Sequence, residues 1–168
     1  MIKNFNTWLS EDWGGFLKNT KVGPIKEITD FCEKYQIKDY EIHEDDWSIS
    51  VKGSVYFNGQ DFEKLPLKFK NVTGDFWIDR CKSLTSLKGC PEKVGRYFDC
   101  DHCKSLTSLE GCPERVDGYF SCMGCNSLTS LEGCPEEVGK SFFYRNCEGK
   151  FTEKDIRNVC NVGKTVLN

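Results

Sequence analysis

The sequence predicts an α+β chain whose body is a short solenoid of stacked, short parallel strands, with a helix and a hairpin capping one end and a helix capping the other. One observation behind this prediction is a repeat with a constant step of 22 residues. Another is that a unit of this length cannot bury its own apolar face and must cover it with equivalent neighbours. The step is kept by Cys81, Cys103, Cys125 and Cys147; by Leu84, Leu106 and Leu128; by Leu87, Leu109 and Leu131; and by Phe76, Phe98, Phe120 and Phe142.

The N-terminal cap is predicted from two patterns. Proline suits the first position of a helix, and the apolar stripe that follows it predicts a helix over Pro24–Tyr35. Alternating apolar and polar residues around an acidic turn predict a hairpin with strands Tyr40–His43 and Trp47–Val51. An aromatic segment, residues 5–17, precedes the helix. We interpret this segment as a flap on the first coil, with a partner-docking helix as the alternative.

The ends of the solenoid are predicted from degenerate repeats. The first coil begins near Val51, because Val55 lies 21 residues before Phe76. Thr152 and Asp155 have the spacing of a capping box, which predicts a short closing helix. The sequence leaves open whether a final strand follows this helix. The chain therefore divides into residues 1–50, the N-terminal helical and hairpin cap; residues 51–150, about five coils with the first and last degenerate; and residues 151–168, the C-terminal cap.

Composition and charge exclude several classes of protein. The chain has 168 residues, a net charge of -3, 29% charged residues and 38% hydrophobic residues. These values are those of a folded domain without the basic surface that duplex nucleic acid requires. No apolar run approaches the roughly 18 to 20 residues that span a bilayer, and the first 20 residues lack the apolar core of a secretion signal. We therefore expect a cytoplasmic protein with neither a nucleic-acid nor a membrane partner.

The candidate binding surface is the outward side of the strand ladder. In each coil two residues spaced two apart, such as Phe98 and Cys100, point into the core, and the residues beside them point outward. The framework repeats while the outward residues vary, and aromatic residues flanked by carboxylates are typical of a protein interface. The alternative is that these aromatic side chains only support the sheet. The predicted partner-binding residues are Asp75, Trp77, Asp79, Tyr97, Asp99, Asp101, Tyr119, Ser121, Met123, Phe143 and Arg145.

Two Cys-x-x-Cys pairs are the strongest chemical signal in the sequence. Their spacing fits a zinc site with four thiolate ligands, which would make the protein a zinc-stabilised structural module. However, Ile78 and Tyr144 occupy the position of Cys100 and Cys122 in the adjacent coils. This position therefore requires an apolar side chain and not a metal ligand. Eleven cysteines are also an odd number for a disulfide framework. We predict core thiols and no cofactor, and keep zinc as the alternative for Cys100, Cys103, Cys122 and Cys125.

Catalysis has little support in the sequence. Only His43 and His102 can serve as imidazole bases, and neither lies in a recognisable nucleophile motif. The glycines recur as turn residues and do not form a phosphate-binding loop. We therefore predict a non-enzymatic protein that binds a protein partner through its strand face. The sequence leaves the oligomeric state open, and a self-associating scaffold is a further alternative.

The repeat resembles two known patterns. The segment from Phe98 to Leu106, Phe-Asp-Cys-Asp-His-Cys-Lys-Ser-Leu, resembles the strand core of leucine-rich repeats, with Phe and Cys at positions where Leu and Asn are commoner. The phrase Leu-Thr-Ser-Leu-Glu-Gly-Cys-Pro-Glu-x-Val, from Leu106 to Val116, is similar to 22-residue-repeat proteins of large bacteriophages. The resemblance covers residues 51–168 and implies a leucine-rich-repeat-like solenoid. It also implies a phage accessory protein in the host cytoplasm that modulates or inhibits a host protein, such as one serving defence.

Overall fold

The computed structural model describes residues 24–167. Within this range the chain forms a β-solenoid of about five turns, in which coils stack through parallel strands and a helix lies at either end. The predicted solenoid with helical caps is therefore confirmed. The aromatic segment of residues 5–17 lies outside the described residues.

The first helix, α1, spans Pro24–Lys34, within one residue of its predicted end. Ile28, Phe31 and Cys32 of the predicted apolar stripe are buried in the core, whereas Ile25 at its start is exposed. Gln36 then adopts a positive φ of 56°, a left-handed conformation that ends the helix. The stripe and the proline thus sufficed to place this helix.

The predicted hairpin is also confirmed. Strand β1, Tyr40–His43, pairs antiparallel with β2, Ser48–Val51. β2 begins one residue later than predicted, because Trp47 adopts a positive φ of 56° and belongs to the turn. The Asp46 carboxylate accepts a hydrogen bond from the Ser48 backbone N–H at 3.1 Å and stabilises this turn.

The body of the solenoid contains two sheets. Coils of equal length place each extended segment beside its own equivalent one coil later, so both segments can pair in parallel. The first sheet contains, in spatial order, β1, β2, β4 (Phe69–Val72), β6 (Lys93–Val94), β8 (Arg115–Val116), β10 (Glu137–Val138) and β12 (Asn161–Val162). The second sheet contains β3 (Val55–Tyr56), β5 (Phe76–Trp77), β7 (Tyr97–Asp99), β9 (Tyr119–Ser121), β11 (Phe142–Phe143) and β13 (Val166–Leu167).

The first sheet differs from the sequence-based expectation, which placed a strand in each full coil only at the Phe-x-Cys positions. Val94, Val116 and Val138 are fully buried and anchor the additional two-residue strands. The corner between the two sheets requires glycine, because the backbones of successive coils approach closely there. A Cβ atom on Gly118 would lie 2.0 Å from the Arg96 carbonyl oxygen.

The core between the sheets is a ladder of identical side chains. The rings of Phe76 and Phe98 lie 5.9 Å apart and nearly parallel, and those of Phe98 and Phe120 lie 5.3 Å apart. Phe142 continues the ladder at 4.6 Å from Phe120. Each of these rings is fully buried, so every coil covers the apolar face of the next.

A second ladder is formed by thiols. The Cys103 Sγ donates a hydrogen bond to the Ile78 carbonyl oxygen at 3.2 Å, and the Cys125 Sγ donates one to the Cys100 carbonyl oxygen at 3.1 Å. Cys147 repeats the contact one coil later. These thiols satisfy buried carbonyl groups of the preceding coil, which a purely apolar side chain at this position could not do.

The C-terminal cap is the predicted helix with two strands after it. Helix α2, Glu153–Val159, begins with the capping box of Thr152 and Asp155, and Ile156 is its buried residue. The Arg157 guanidinium donates hydrogen bonds to the Val162 and Lys164 carbonyl oxygens at 3.1 and 3.0 Å. Arg157 therefore fastens the helix to the final coil. The question of a final strand is answered by β12 and β13.

Truncation in the phenylalanine ladder tests the core. We expect Phe98→Ala to lower the free energy of unfolding by about 3–5 kcal/mol, because it opens a cavity in contact with two neighbouring coils. Phe98→Leu is the control and should cause a smaller loss, since it keeps most of the apolar volume. Urea denaturation measures both. Equal, small losses for the two variants would contradict a close-packed ladder.

Candidate functional site

The outward side of the second sheet carries the predicted binding residues, and we call it the strand face. Strand pairing places Trp77 beside Asp99, Asp99 beside Ser121, and Ser121 beside Phe143. The same pairing sets Tyr97 beside Tyr119. Because the step is constant, the outward residues form three rows across the coils: Asp75, Tyr97, Tyr119 and Ser141; Trp77, Asp99, Ser121 and Phe143; and Asp79, Asp101, Met123 and Arg145.

The predicted aromatic anchors form a continuous ladder on this face. The ring centroids of Trp77 and Tyr97 lie 6.1 Å apart, those of Tyr97 and Tyr119 5.6 Å, and those of Tyr119 and Phe143 6.1 Å. All four side chains are half-buried. The rings contact one another and so support the sheet, as the alternative interpretation holds, and each also presents part of its surface outward.

The ladder contains one residue that the sequence analysis missed. Tyr56 packs edge-on against Trp77 at 5.3 Å and is 51% exposed, which makes it the most exposed large hydrophobic side chain of the described residues. Its signal in the sequence was its place between Val55 and Phe57, both framework positions of the degenerate first coil. Tyr56 lies 21 residues before Trp77, not 22, so the repeat step did not show that the two positions are equivalent.

The carboxylates of the face accept hydrogen bonds from the strands. The Asp99 Oδ1 accepts a hydrogen bond from the Asp101 backbone N–H at 2.8 Å. The Asp101 Oδ1 accepts bonds from the Met123 backbone N–H at 2.7 Å and from the Ser121 hydroxyl. Ser121 itself is fully buried, so it acts on the face through Asp101 and presents no surface of its own.

Burial dominates the electrostatics of these carboxylates. It raises the pKa of Asp99 to about 7, an effect to which the neighbouring charges of Asp101 and Asp79 add. Burial also raises the pKa of Asp101, although its hydrogen bonds to Ser121 and Met123 act in the opposite direction. Packed carboxylates thus carry unfavourable negative charge in this part of the face.

Several charges on the other side of the solenoid are paired. On the first sheet, Asp117 lies 3.3 Å from the Lys93 Nζ and 2.6 Å from the Arg115 Nε, and Arg115 also pairs with Glu137. Within residues 24–167, by contrast, Asp99 and Asp101 form no salt bridge. The strand face therefore contains two partly buried carboxylates without an ion pair among the described residues.

The four cysteines of the zinc alternative lie in the core. Cys100, Cys103, Cys122 and Cys125 are fully buried, and among the described residues no three His, Cys, Asp or Glu side chains are grouped as a metal ion requires. The pKa of the Cys100 thiol is raised by its hydrogen bond with Cys125 and by burial. Burial raises the pKa of Cys103 as well. Such surroundings suit protonated core thiols, whereas zinc is bound by thiolates.

The two histidines occupy unrelated positions in the fold. His43 ends β1, where its Nε2 lies 2.8 Å from the Ser50 hydroxyl. His102 is exposed in the turn after β7 and adopts a positive φ of 57°. Neither position is part of the strand face rows.

Comparison of the chain with protein families, with curated proteins and with solved structures found no match. No helix within residues 24–167 combines the length and the apolar character that crossing a membrane requires.

The raised pKa of Asp99 predicts a pH-dependent stability. The folded carboxyl holds its proton up to about pH 7, whereas an unfolded one releases it near about pH 3.9. The free energy of unfolding therefore falls as the pH rises from about 4 to 7, and it stays at this lower value above pH 7. Asp99→Asn keeps the acceptor for Asp101 and removes the charge. We expect it to raise the Tm at pH 8 by about 2–4 °C, roughly 1 kcal/mol after allowing for solvent screening, with little change at pH 4.

Asp117→Asn is the matched control, with the opposite sign. Burial would raise the pKa of Asp117, but hydrogen bonds from Arg115 and Lys93 hold it below its ordinary value. Its charge therefore stabilises the fold above about pH 4, so removing it should lower the Tm slightly at pH 8. Thermal unfolding followed by circular dichroism measures both variants. A Tm at pH 8 that falls in Asp99→Asn as in the control would contradict the assigned environment.

Proposed function

We propose that the protein is a non-enzymatic binding module that recognises a protein partner through the strand face. The observation that carries this proposal is the continuous ladder of half-exposed rings from Trp77 to Phe143, with carboxylates interleaved among them. Interfaces between proteins are enriched in aromatic side chains, and a few such residues supply most of the binding energy.

The rigidity of the face supports binding by this surface. Each ring is held by its neighbours, and each strand is fixed in register by the coils on both sides. Side chains that are already ordered lose little conformational entropy when a partner docks. An array of this kind converts more of its contact energy into affinity than a flexible loop would.

The partner should present basic and apolar side chains. Asp75, Asp99 and Asp101 lie next to the aromatic ladder, and Asp99 and Asp101 have no cationic neighbour bonded to them among the described residues. A partner cation would relieve the repulsion between these carboxylates. Electrostatic complementarity of this kind raises the association rate and excludes acidic partners.

The biological setting that we propose follows from the repeat phrase. The segment from Leu106 to Val116 is similar to repeats of large bacteriophage proteins. We therefore place the protein in the cytoplasm of an infected bacterium, as an accessory protein that modulates or inhibits a host protein such as a defence component. This setting rests on analogy, and the binding surface does not depend on it.

Truncation of two ladder residues tests the proposal. We expect Trp77→Ala with Tyr119→Ala to weaken capture of a partner from host lysate by on the order of 100-fold, because both rings belong to the aromatic ladder that would contact the partner. The loss of stability should be about 1–2 kcal/mol, since both rings are half-buried and the buried phenylalanine ladder stays intact. Quantitative affinity capture and thermal unfolding measure the two effects.

The matched control changes two large side chains on the first sheet, Lys93→Ala with Arg115→Ala. Proteins that the wild type and this control retain, and that the ladder variant loses, are partners of the strand face. Capture that is unchanged in the ladder variant would contradict the proposal. So would a partner lost equally by the control.

A further inference from the structure

The strand face has a charge gradient along the solenoid axis. The third row shows it most simply, because it reads Asp79, Asp101, Met123 and then Arg145 from one coil to the next. We call the outward carboxylates of the coils that contain β5 and β7 the acidic half, and the outward cations of the coil that contains β11 the basic half. The acidic half consists of Asp75, Asp79, Asp99 and Asp101, and the basic half of Lys140 and Arg145.

The acidic half keeps a negative surplus after its own ion pairs are considered. Asp79 lies 3.2 Å from the Arg80 Nη1, and Asp75 lies 3.7 Å from the Arg96 Nε. These two arginines account for two of the four carboxylates. Asp99 and Asp101 accept only hydrogen bonds from N–H and hydroxyl groups of the described residues. The Oδ1 atom of Asp79 is also buried and has no hydrogen-bond partner among the described residues.

The basic half differs in composition and in contacts. The Lys140 Nζ lies 4.9 Å from the centre of the Tyr119 ring, which places its charge over the aromatic ladder. Arg145 is exposed at the end of the third row. In the coils of β9 and β11 the three rows contain no carboxylate: their residues are Tyr119, Ser121, Met123, Ser141, Phe143 and Arg145. Lys140 directly precedes these rows, at the position that Arg96 occupies two coils earlier.

From this gradient we infer that the strand face binds an extended partner segment with a fixed polarity, a cationic side chain against Asp99 and Asp101 and an anionic one against Lys140 and Arg145. The inference deepens the proposed function and rests on it. The reverse placement would set like charges against each other at both ends. Neutral apolar side chains would match the middle of the ladder, at Tyr119 and Met123.

Coil spacing fixes the separation of the two charges. The coils of β7 and β11 are two steps apart, which is roughly 10 Å at about 4.8 Å for each step. An extended segment in the polyproline II conformation rises about 3.1 Å per residue with about three residues per turn, so a cationic and an anionic side chain about three positions apart would lie on the same side at about this separation. The segment would have apolar residues between these charges and would cross the strands along the solenoid axis.

A selection with random 12-residue peptides displayed on particles tests this inference on the purified protein. We expect the wild type to enrich peptides with Arg or Lys about three positions from Asp or Glu, around apolar residues. The variant Asp99→Asn with Asp101→Asn keeps the hydrogen-bond acceptors and removes both charges. It should bind the selected peptides at least about 10-fold more weakly and lose the preference for a cation.

The matched control removes two carboxylates away from the face, Glu114→Gln with Glu136→Gln, and should bind these peptides as the wild type does. The variant Lys140→Ala with Arg145→Ala should lose the preference for an anionic residue and keep the preference for a cationic one. Peptides whose binding needs Trp77 and Tyr119 but that have no charge preference would overturn the inferred polarity and leave the proposed function standing. If no enriched peptide depends on Trp77 and Tyr119, both the polarity and the proposed function are overturned.

Discussion

The constant coil length is the constraint on which the rest of this structure depends. A step of 22 residues brings each backbone segment beside its equivalent, so that strands pair in parallel without any special sequence of their own. The phenylalanine ladder, the thiol-to-carbonyl bonds and the glycine corner all follow from that register. Coils that depart from this step still pair in parallel, with 21 residues from Val55 to Phe76 and 24 from Phe142 to Val166, so the difference in length is taken up outside the strands. A shift within a strand would instead move its side chains to the other face.

The same register turns variable residues into an ordered surface. Packing restricts the outward positions less than the core positions, so successive coils can carry Trp77, Asp99, Ser121 and Phe143 at one position of the framework. Alignment in rows then brings carboxylates of adjacent coils within mutual repulsion and rings within contact. Asp99 and Asp101 are partly buried and form no salt bridge among the described residues, which is one reason why we propose this side as the binding surface.

The solenoid and its outward residues could be predicted from the sequence because both depend on spacing, which is visible in the numbering. The second strand of each coil could not, since a pair such as Lys93–Val94 is too short to show a period. Tyr56 was missed because its coil is one residue shorter. Local patterns do not encode contacts with other coils. Such contacts cause the burial of Ser121 and the raised pKa of Asp99, and the hydrogen bonds of Arg157 likewise depend on the final turn.

Deletion of one complete coil is the most direct test of the role of register. Removing residues 117–138 joins Val116 to Gly139, which occupies the position of Asp117 one coil later. Gly139 would then lie beside Gly95, as Gly163 already lies beside Gly139. We expect a shorter protein that still unfolds cooperatively, whereas removing residues 119–138, two residues fewer, leaves two extra residues in one coil and should lower the Tm. Thermal unfolding by circular dichroism distinguishes the two. Equal stability of both deletions would contradict the account.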